Sequence, residues 1–411
     1  MMSSLLKVKK ESDRLGKYQQ AIQFHQQQLR ITRQSHDRRG EAASLNNLGM
    51  AYHYLRQYKQ AINYYGHSLE IARQLGDAKG EARVWDNLGS AYNALGQYKQ
   101  AIKFHQQSLT IKQDIGDAKG QAKSLMSLGK ISHSLGEYQQ AIAYYQQSLS
   151  IMQEIRDAGG EASCLSNLGK TYQSLGEHQQ AITYYQQSLT LKRELGEHSG
   201  IVAVLNNLGK AYCCLGQYQQ AIDYYGELLA VERELGAHSS IVASLNSLGK
   251  VYCALEQYQQ AIDYYGQSFL IAREISDRAG EAASLSNLGN AYHYLGQYQR
   301  AIEFHQQSLV IKQETKDRAG IAISLNKLGK SCCSIGQYQR AIEYYQSSLE
   351  ITREIGVREA GRDSALRSGE AHALSGLANA YYCLGECEQA AEYHRQSLLL
   401  ARELGESLIL Q

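Results

Sequence analysis

SLNNLGMAYHYLRQYKQAINYYGHSLEIARQLGDAKGEA, Ser44 to Ala82, decides the fold, because nearly the same words return every 40 residues along the chain. In its first half Leu45, Leu48, Gly49, Tyr52 and Leu55 fall at helical spacing and make one apolar stripe. In its second half Tyr58, Ala61, Ile62, Tyr65, Leu69 and Ile71 do the same. Two amphipathic helices therefore face each other across a short turn. The copies show which positions packing dictates. Leu48 returns as Leu88, Leu128, Leu168, Leu208, Leu248, Leu288, Leu328 and Leu377, and Ala61 has a counterpart in every second helix from Ala21 to Ala390.

Gly49 returns in seven further copies and then as Ala378. A glycine inside a helix costs roughly 1 kcal/mol against alanine, so its repetition implies a close helix-to-helix approach that needs a small residue. Gly96, with counterparts at 16, 136, 176, 216, 296, 336 and 385, suits a left-handed helix C-cap. Arg56 and Glu256 break that pattern, which predicts turns there that are strained or closed differently. In the words GDAKG and SDRAG, Asp77, Asp117 and Asp277 are placed to cap the next helix.

Leu48-Gly49, Tyr52, Ala61, Tyr64-Tyr65 and Ser68 resemble the tetratricopeptide pattern of leucine-glycine, tyrosine, alanine, aromatic and small residue, with Trp85 where that family often has tryptophan. The period is 40 rather than 34, and the family's closing proline is missing from a chain with no proline. The long repeats are similar to those of Pins/LGN-type adaptors, kinesin light chains and large bacterial tetratricopeptide regulators, and the glutamine-rich, regular copies resemble a bacterial, cyanobacterial style. The resemblance implies an all-α, right-handed superhelical solenoid of antiparallel helix pairs.

The unbroken period overrides the two or three globular domains that 411 residues would suggest. The expected organisation is one solenoid, 1–411, of about ten helix-pair units. Residues 1–40 form a degenerate capping unit in which Lys9, Glu11 and Ser12 replace the usual glycine, alanine and tyrosine. Regular repeats follow over 41–356. At 357–368 a stretch carrying Arg358, Arg362 and Arg367 shifts the register, as a longer loop, an extended helix or a docking loop, before the final unit at 369–411. After Leu400 no polar helix covers the last apolar face; self-association through it, or membership of a longer protein, both fit.

A net charge of +2 from 42 basic and 40 acidic residues argues for neither nucleic acid nor membrane. Met1 to Lys10 has no long apolar run, so a cytoplasmic setting with eight reduced cysteines is expected. Those cysteines read as small packed thiols rather than a metal or redox site, since none has zinc-type spacing. His25, His105, His305 and His394 take the place of Tyr65, as aromatic fillers of a half-buried slot. No serine-histidine-acid arrangement, phosphate-type loop or carboxylate pair stands out, so no enzymatic activity, no cofactor and no metal are expected.

The informative residues are those that packing leaves free. Positions 43, 46 or 47, 50 and 53 of each first helix form a second stripe beside the apolar one, and the resemblance implies that it lines the concave, ligand-binding surface. One ladder along it is Asn47, Asn87, Asn167, Asn207 and Asn287, with Ser127, Ser247 and Lys327 at the gaps. A carboxamide both donates and accepts, so it can pair with the main chain of an extended peptide, a use the kinesin light chain and Pins resemblance also implies. The second ladder is Lys130, Lys170, Lys210, Lys250 and Lys330, with Arg83 and Lys123 adding charge nearby and Asp86 opposing it. Aligned charges in a concavity focus potential. The expected function is a non-catalytic adaptor that holds an extended, acidic segment of a protein or peptide partner. Nucleic acid is not expected as a partner, because no stacking aromatics follow the lysines. The alternative is a self-assembling structural element or the sensor region of a larger signalling protein.

Overall fold

The computed structural model describes residues 2–358 and 364–404, with side chains described over 16–356 and 367–402. Among them the chain is helical with no strand. The first helix, α1 (Met2–Gln34), is followed by nine antiparallel pairs. These are α2 (Arg38–Tyr54) with α3 (Tyr58–Gln74), α4 (Ala78–Ala94) with α5 (Tyr98–Asp114), and α6 (Ala118–Ser134) with α7 (Tyr138–Glu154). Next come α8 (Ala158–Ser174) with α9 (His178–Glu194), α10 (His198–Cys214) with α11 (Tyr218–Glu234), and α12 (His238–Ala254) with α13 (Tyr258–Glu274). The last three are α14 (Arg278–Tyr294) with α15 (Tyr298–Glu314), α16 (Arg318–Ser334) with α17 (Tyr338–Arg358), and α18 (Ser364–Cys383) with α19 (Cys387–Leu404). The chain divides into two compact units at Tyr224 and Tyr225, so that α2 to α10 lie in the first and α12 to α19 in the second.

The 40-residue period follows from the turns. Each regular helix is 17 residues long, and each link has three. The link after a first helix is a Schellman turn: Gly96 N–H donates to Asn93 O at 2.9 Å and Gln97 N–H to Tyr92 O at 2.9 Å, with Gly96 at φ 73°. Arg56 and Glu256, both at φ 59°, close the same way, so those turns keep the geometry and carry the cost of a side chain in the left-handed region. The next first helix is capped by aspartate. Asp37, Asp77, Asp117, Asp157, Asp277 and Asp317 each accept from the backbone N–H three residues on. Glu197 and Ala237 provide no side-chain cap to α10 and α12.

The turn expected at Gly16 does not form, because α1 runs unbroken through it. Leu5 and Val8 keep the register of the apolar stripe, but Lys9, Glu11 and Ser12 replace the glycine, alanine and tyrosine that a helix hairpin would pack, and one long helix satisfies the backbone instead. At the other end α17 has 21 residues rather than 17 and α18 has 20. The register shift at 357–368 is thus taken up in part by longer helices. Arg362, the side chain of Arg358 and residues 405–411 of the expected final unit lie outside the described residues.

The core sits between the two helices of each pair. Gly129, Gly169 and Gly249 lie under the rings of Tyr145, Tyr185 and Tyr265, and a Cβ on any of them would come within 2.4–2.7 Å of ring carbon. Close approach is therefore the reason for the repeated glycine. A second link fastens the pair: Ser148 Oγ donates to Ala122 O at 2.9 Å, and Ser68, Ser108, Ser188, Ser268, Ser308, Ser348 and Ser397 do the same to the first helix. Leu228, at the matching place in α11, has no hydroxyl and is buried. The small residue recognised in the sequence is thus a hydrogen-bond donor as well as a spacer.

Candidate ligand-binding face

Successive first helices meet directly: α2 with α4, α4 with α6, α6 with α8 and α8 with α10 in the first unit. In the second unit α12 meets α14, α14 meets α16 and α16 meets α18, while second helices are joined by single side-chain bonds, as from Arg353 in α17 to Gln396 Oε1 in α19 at 3.5 Å. Side chains at positions 46, 47 and 50 reach across these meetings, as in the contacts of Asn46 with Asn87 and of Lys330 with Tyr294.

The lysine ladder is open. Lys130, Lys170, Lys210, Lys250 and Lys330 are exposed, as are Arg83 and Lys123. Lys330 Nζ lies 5.5 Å from the ring centre of Tyr294. The asparagine ladder is half-buried, and its members divide by what they touch. Asn87 Nδ2 donates to Asn46 Oδ1 at 2.8 Å, and Asn287 Nδ2 to Asn246 Oδ1 at 2.9 Å, so these carboxamides join one first helix to the one before it. Asn246 is buried, and its Nδ2 also reaches Ser268 Oγ at 2.7 Å and Ser284 Oγ at 3.1 Å. Asn47, Asn167 and Asn207 make no such side-chain bond among the described residues. Asn87 also lines a pocket of ≈160 Å³ with Met50, His53, Tyr54, Tyr65 and Ser90, between α2 and α4.

Asp86 does not oppose the groove charge as the sequence suggested. Its carboxylate turns inward, where Lys112 Nζ and Ser124 Oγ donate to it, the latter at 3.0 Å, and His105 Nδ1 lies 3.1 Å away. Burial raises its pKa, but the bond from His105 and the charge of Lys112 outweigh that and hold the carboxyl below its usual range. Acid, histidine and serine thus come together here, yet histidine and serine both bond the carboxylate rather than each other, and Ser124 is 0% exposed. The network packs α4, α5 and α6 together, with the Ser124 hydroxyl buried inside it.

The histidines at the Tyr65 position are deeper than expected in two copies: His105 and His305 are fully buried beneath Gly89 and Gly289, while His25 and His394 are half-buried. A glycine beneath the ring lets it sink, whichever aromatic it is. Of the eight cysteines, all free thiols, Cys164 and Cys332 are buried, but Cys214, Cys383 and Cys387 are exposed and are not packed as expected. Cys214 and Cys383 are the last residues of α10 and α18, and Cys387 is the first of α19. Among the described residues no three of His, Cys, Asp and Glu converge as for a metal ion, and no helix is long and apolar enough to cross a membrane.

The sequence missed the Asn46 and Asn246 partners and the network around Asp86. The available signal for the Asp86 network was Lys112, which stands where Ala72 and Met152 stand in the neighbouring repeats.

Tetratricopeptide repeat models match the chain in overlapping stretches from 14–74 to 280–354 and again over 373–408. The protein belongs to the tetratricopeptide repeat family. Its fold is a solenoid of antiparallel helix pairs, and the family defines it as a protein-interaction scaffold. Among solved structures it is similar to a signal-transduction ATPase with numerous domains and a tetratricopeptide repeat sensor from Pyrococcus horikoshii, at TM-score 0.57 and 14% identity over 84% of this chain and 53% of that one. It is also similar to aspartyl phosphate phosphatase F from Bacillus subtilis, at TM-score 0.53 and 14% identity over 88% of this chain and 94% of that one. The nearly identical repeats of a putative kinesin light chain from Podosopora anserina are 26% identical over 46% of this chain and 94% of that one, at TM-score 0.41. A comparison with curated protein sequences gave no match.

Proposed function

We propose that this protein is a non-catalytic adaptor that binds an extended, acidic segment of a protein partner along its first helices. The observation that carries the reading is the row of exposed lysines Lys130, Lys170 and Lys210 on consecutive first helices of one unit, beside Arg83 and Lys123, with Asp86 turned inward onto Lys112. Potentials from aligned charges add, whereas isolated surface lysines are screened. Asn167 and Asn207, half-buried and with no side-chain bond to a neighbouring helix among the described residues, supply paired donors and acceptors for a peptide main chain. At about 3.3 Å per residue, a strand advances roughly three residues for each 8–10 Å step between helices.

The test is fluorescence anisotropy with a labelled twelve-residue peptide of alternating aspartate and serine, against one of alternating lysine and serine. The acidic peptide should bind wild type, lose affinity as salt rises, and fail to bind a Lys130→Glu, Lys170→Glu, Lys210→Glu triple variant whose circular dichroism is unchanged. Equal binding of the acidic peptide by the folded triple variant would overturn the proposal.

A further inference from the structure

Two repeats of this chain carry almost the same words two hundred residues apart, FHQQSLTIKQ at Phe104–Gln113 and FHQQSLVIKQ at Phe304–Gln313. In the first copy three groups converge on one carboxylate: His105 Nδ1, Lys112 Nζ and Ser124 Oγ all meet Asp86. In the second copy His305, Lys312 and Ser324 repeat all three. The carboxylate is gone, because Ser286 stands in place of Asp86, and Lys327 stands in place of Ser127. The same cage has lost a negative charge and gained a positive one.

The bonds register the loss. His305 is 1% exposed, and its Nδ1, the atom whose sister meets Asp86, has no partner. Lys312 Nζ donates to Ser324 Oγ at 2.8 Å, and Lys327 Nζ to Ser286 Oγ at 2.8 Å. Lys112 also reaches Ser124 Oγ, at 2.9 Å, so Lys312 keeps that bond and lacks only the carboxylate, while Lys327 is an ammonium group that the sister copy does not have. Asp317 lies near Lys312 but is engaged in capping α16 through Gly320 N–H at 2.9 Å. Its sister Asp117 makes the same cap while Asp86 is present, so Asp317 is not the replacement. Burial, with Lys312 and Lys250 adding repulsion, holds the Lys327 ammonium down to a pKa of about 8. Buried charge left without a counter-ion is costly, and an anion that supplies one recovers that cost.

We infer that the cage of His305, Lys312, Ser324, Ser286 and Lys327 is a binding site for a carboxylate supplied from outside the chain, on an acidic residue or the C-terminus of a ligand peptide. That the carboxylate arrives on a peptide rests on the function proposed above; that the cage takes a carboxylate does not. Lys327 is half-buried on the asparagine ladder, one turn from exposed Ile323 and one from exposed Lys330. The site therefore opens toward the first-helix side, and an apolar residue next to the acidic one has Ile323 to cover.

Thermal unfolding at pH 7 in sodium acetate, against sodium chloride at equal ionic strength, tests the cage without any peptide. Wild type should melt higher in acetate, by on the order of 1–2 °C. Ser286→Asp, which supplies the carboxylate from within, should melt above wild type in chloride and show no further response to acetate. Lys327→Ser, which restores the sister's residue, should lose the acetate response in a variant whose fold does not depend on a new buried acid. An equal acetate response in wild type and both variants, or a Ser286→Asp protein that melts lower than wild type, would overturn the inference. An acetylated, amidated pentapeptide with a central Asp-Leu and a Gly-Ser pentapeptide with a free C-terminus then separate a side-chain from a terminal carboxylate, by which of them displaces the acetate effect. If acetate acts as expected but the alternating aspartate peptide does not bind, the cage stands and the extended-ligand reading fails.

Discussion

Gly169→Ala sets helix propensity against a steric wall. Alanine is favoured over glycine in a helix interior by roughly 1 kcal/mol. The added Cβ, however, would lie 2.7 Å from both Cδ1 and Cε1 of Tyr185. Tyr185 is 0% exposed and its hydroxyl donates to Gln173 Oε1 at 2.9 Å, so the ring is held at its far end and has nowhere to move. Overpacking of a rigid site costs about 1–3 kcal/mol, and it acts against the propensity gain. The expected result is a net loss of about 1 kcal/mol. Gly66→Ala is the control, since Gly66 lies inside α3 and a Cβ there meets nothing within 4 Å. That variant should gain about 0.5–1 kcal/mol. Urea unfolding followed by circular dichroism compares the midpoints. If Gly169→Ala unfolds at or above the wild-type midpoint, the repeated glycine is not there to admit the ring, and the explanation of the Leu-Gly word is wrong.

Glu256→Gly should raise stability by about 0.5–1 kcal/mol, because Glu256 sits at φ 59° in a turn that glycine closes at other repeats; a lower melting point would contradict this. Ser148→Ala should cost about 1 kcal/mol through the lost bond to Ala122 O, read as a lower urea midpoint. Acid should destabilise the protein early. Burial, aided by Lys330, lowers the His293 pKa to about 4, and burial, aided by lysines and His293, lowers that of His305 to about 3. Unfolded histidine takes up its proton near pH 6.5, so their contribution is present above that pH and is lost as pH falls toward 4 and 3. The slope is about 1.4 kcal/mol per pH unit for each histidine. Unfolding midpoints that stay flat from pH 6.5 to 4.5 would show that these rings are not held neutral.

The helix pairs were legible in the sequence because a single word carries both stripes, the turn glycine and the capping aspartate, and each is decided within a few residues. The turn at Gly16 differs for the complementary reason: a turn glycine ends a helix only when the segment before it can pack back closely, and Lys9, Glu11 and Ser12 replace the glycine, alanine and tyrosine that allow this in the other repeats. The lysine ladder could be placed as exposed because it lies just beyond the apolar stripe. The inward turn of Asp86 could not, since it depends on His105 and Lys112 on α5 and Ser124 on α6, two helices other than its own. Likewise nothing local distinguishes Asn87, bonded to Asn46, from Asn167, which is free. The cage at Lys327 was within reach of sequence comparison, as the change from Asp86 to Ser286 in otherwise matching words, but its meaning appears only once the partners of Asp86 are known.

Photo-crosslinking tests most directly whether ligands lie on the first-helix side. An alternating aspartate and serine peptide carrying one benzophenone residue would be irradiated with the protein, and the attached sites mapped by mass spectrometry. The account predicts attachment at first-helix positions such as Arg83, Ser90, Lys123, Lys130 and Lys170, and its suppression by raised salt. Attachment concentrated on exposed second-helix positions such as Thr110 and Thr190 would contradict it.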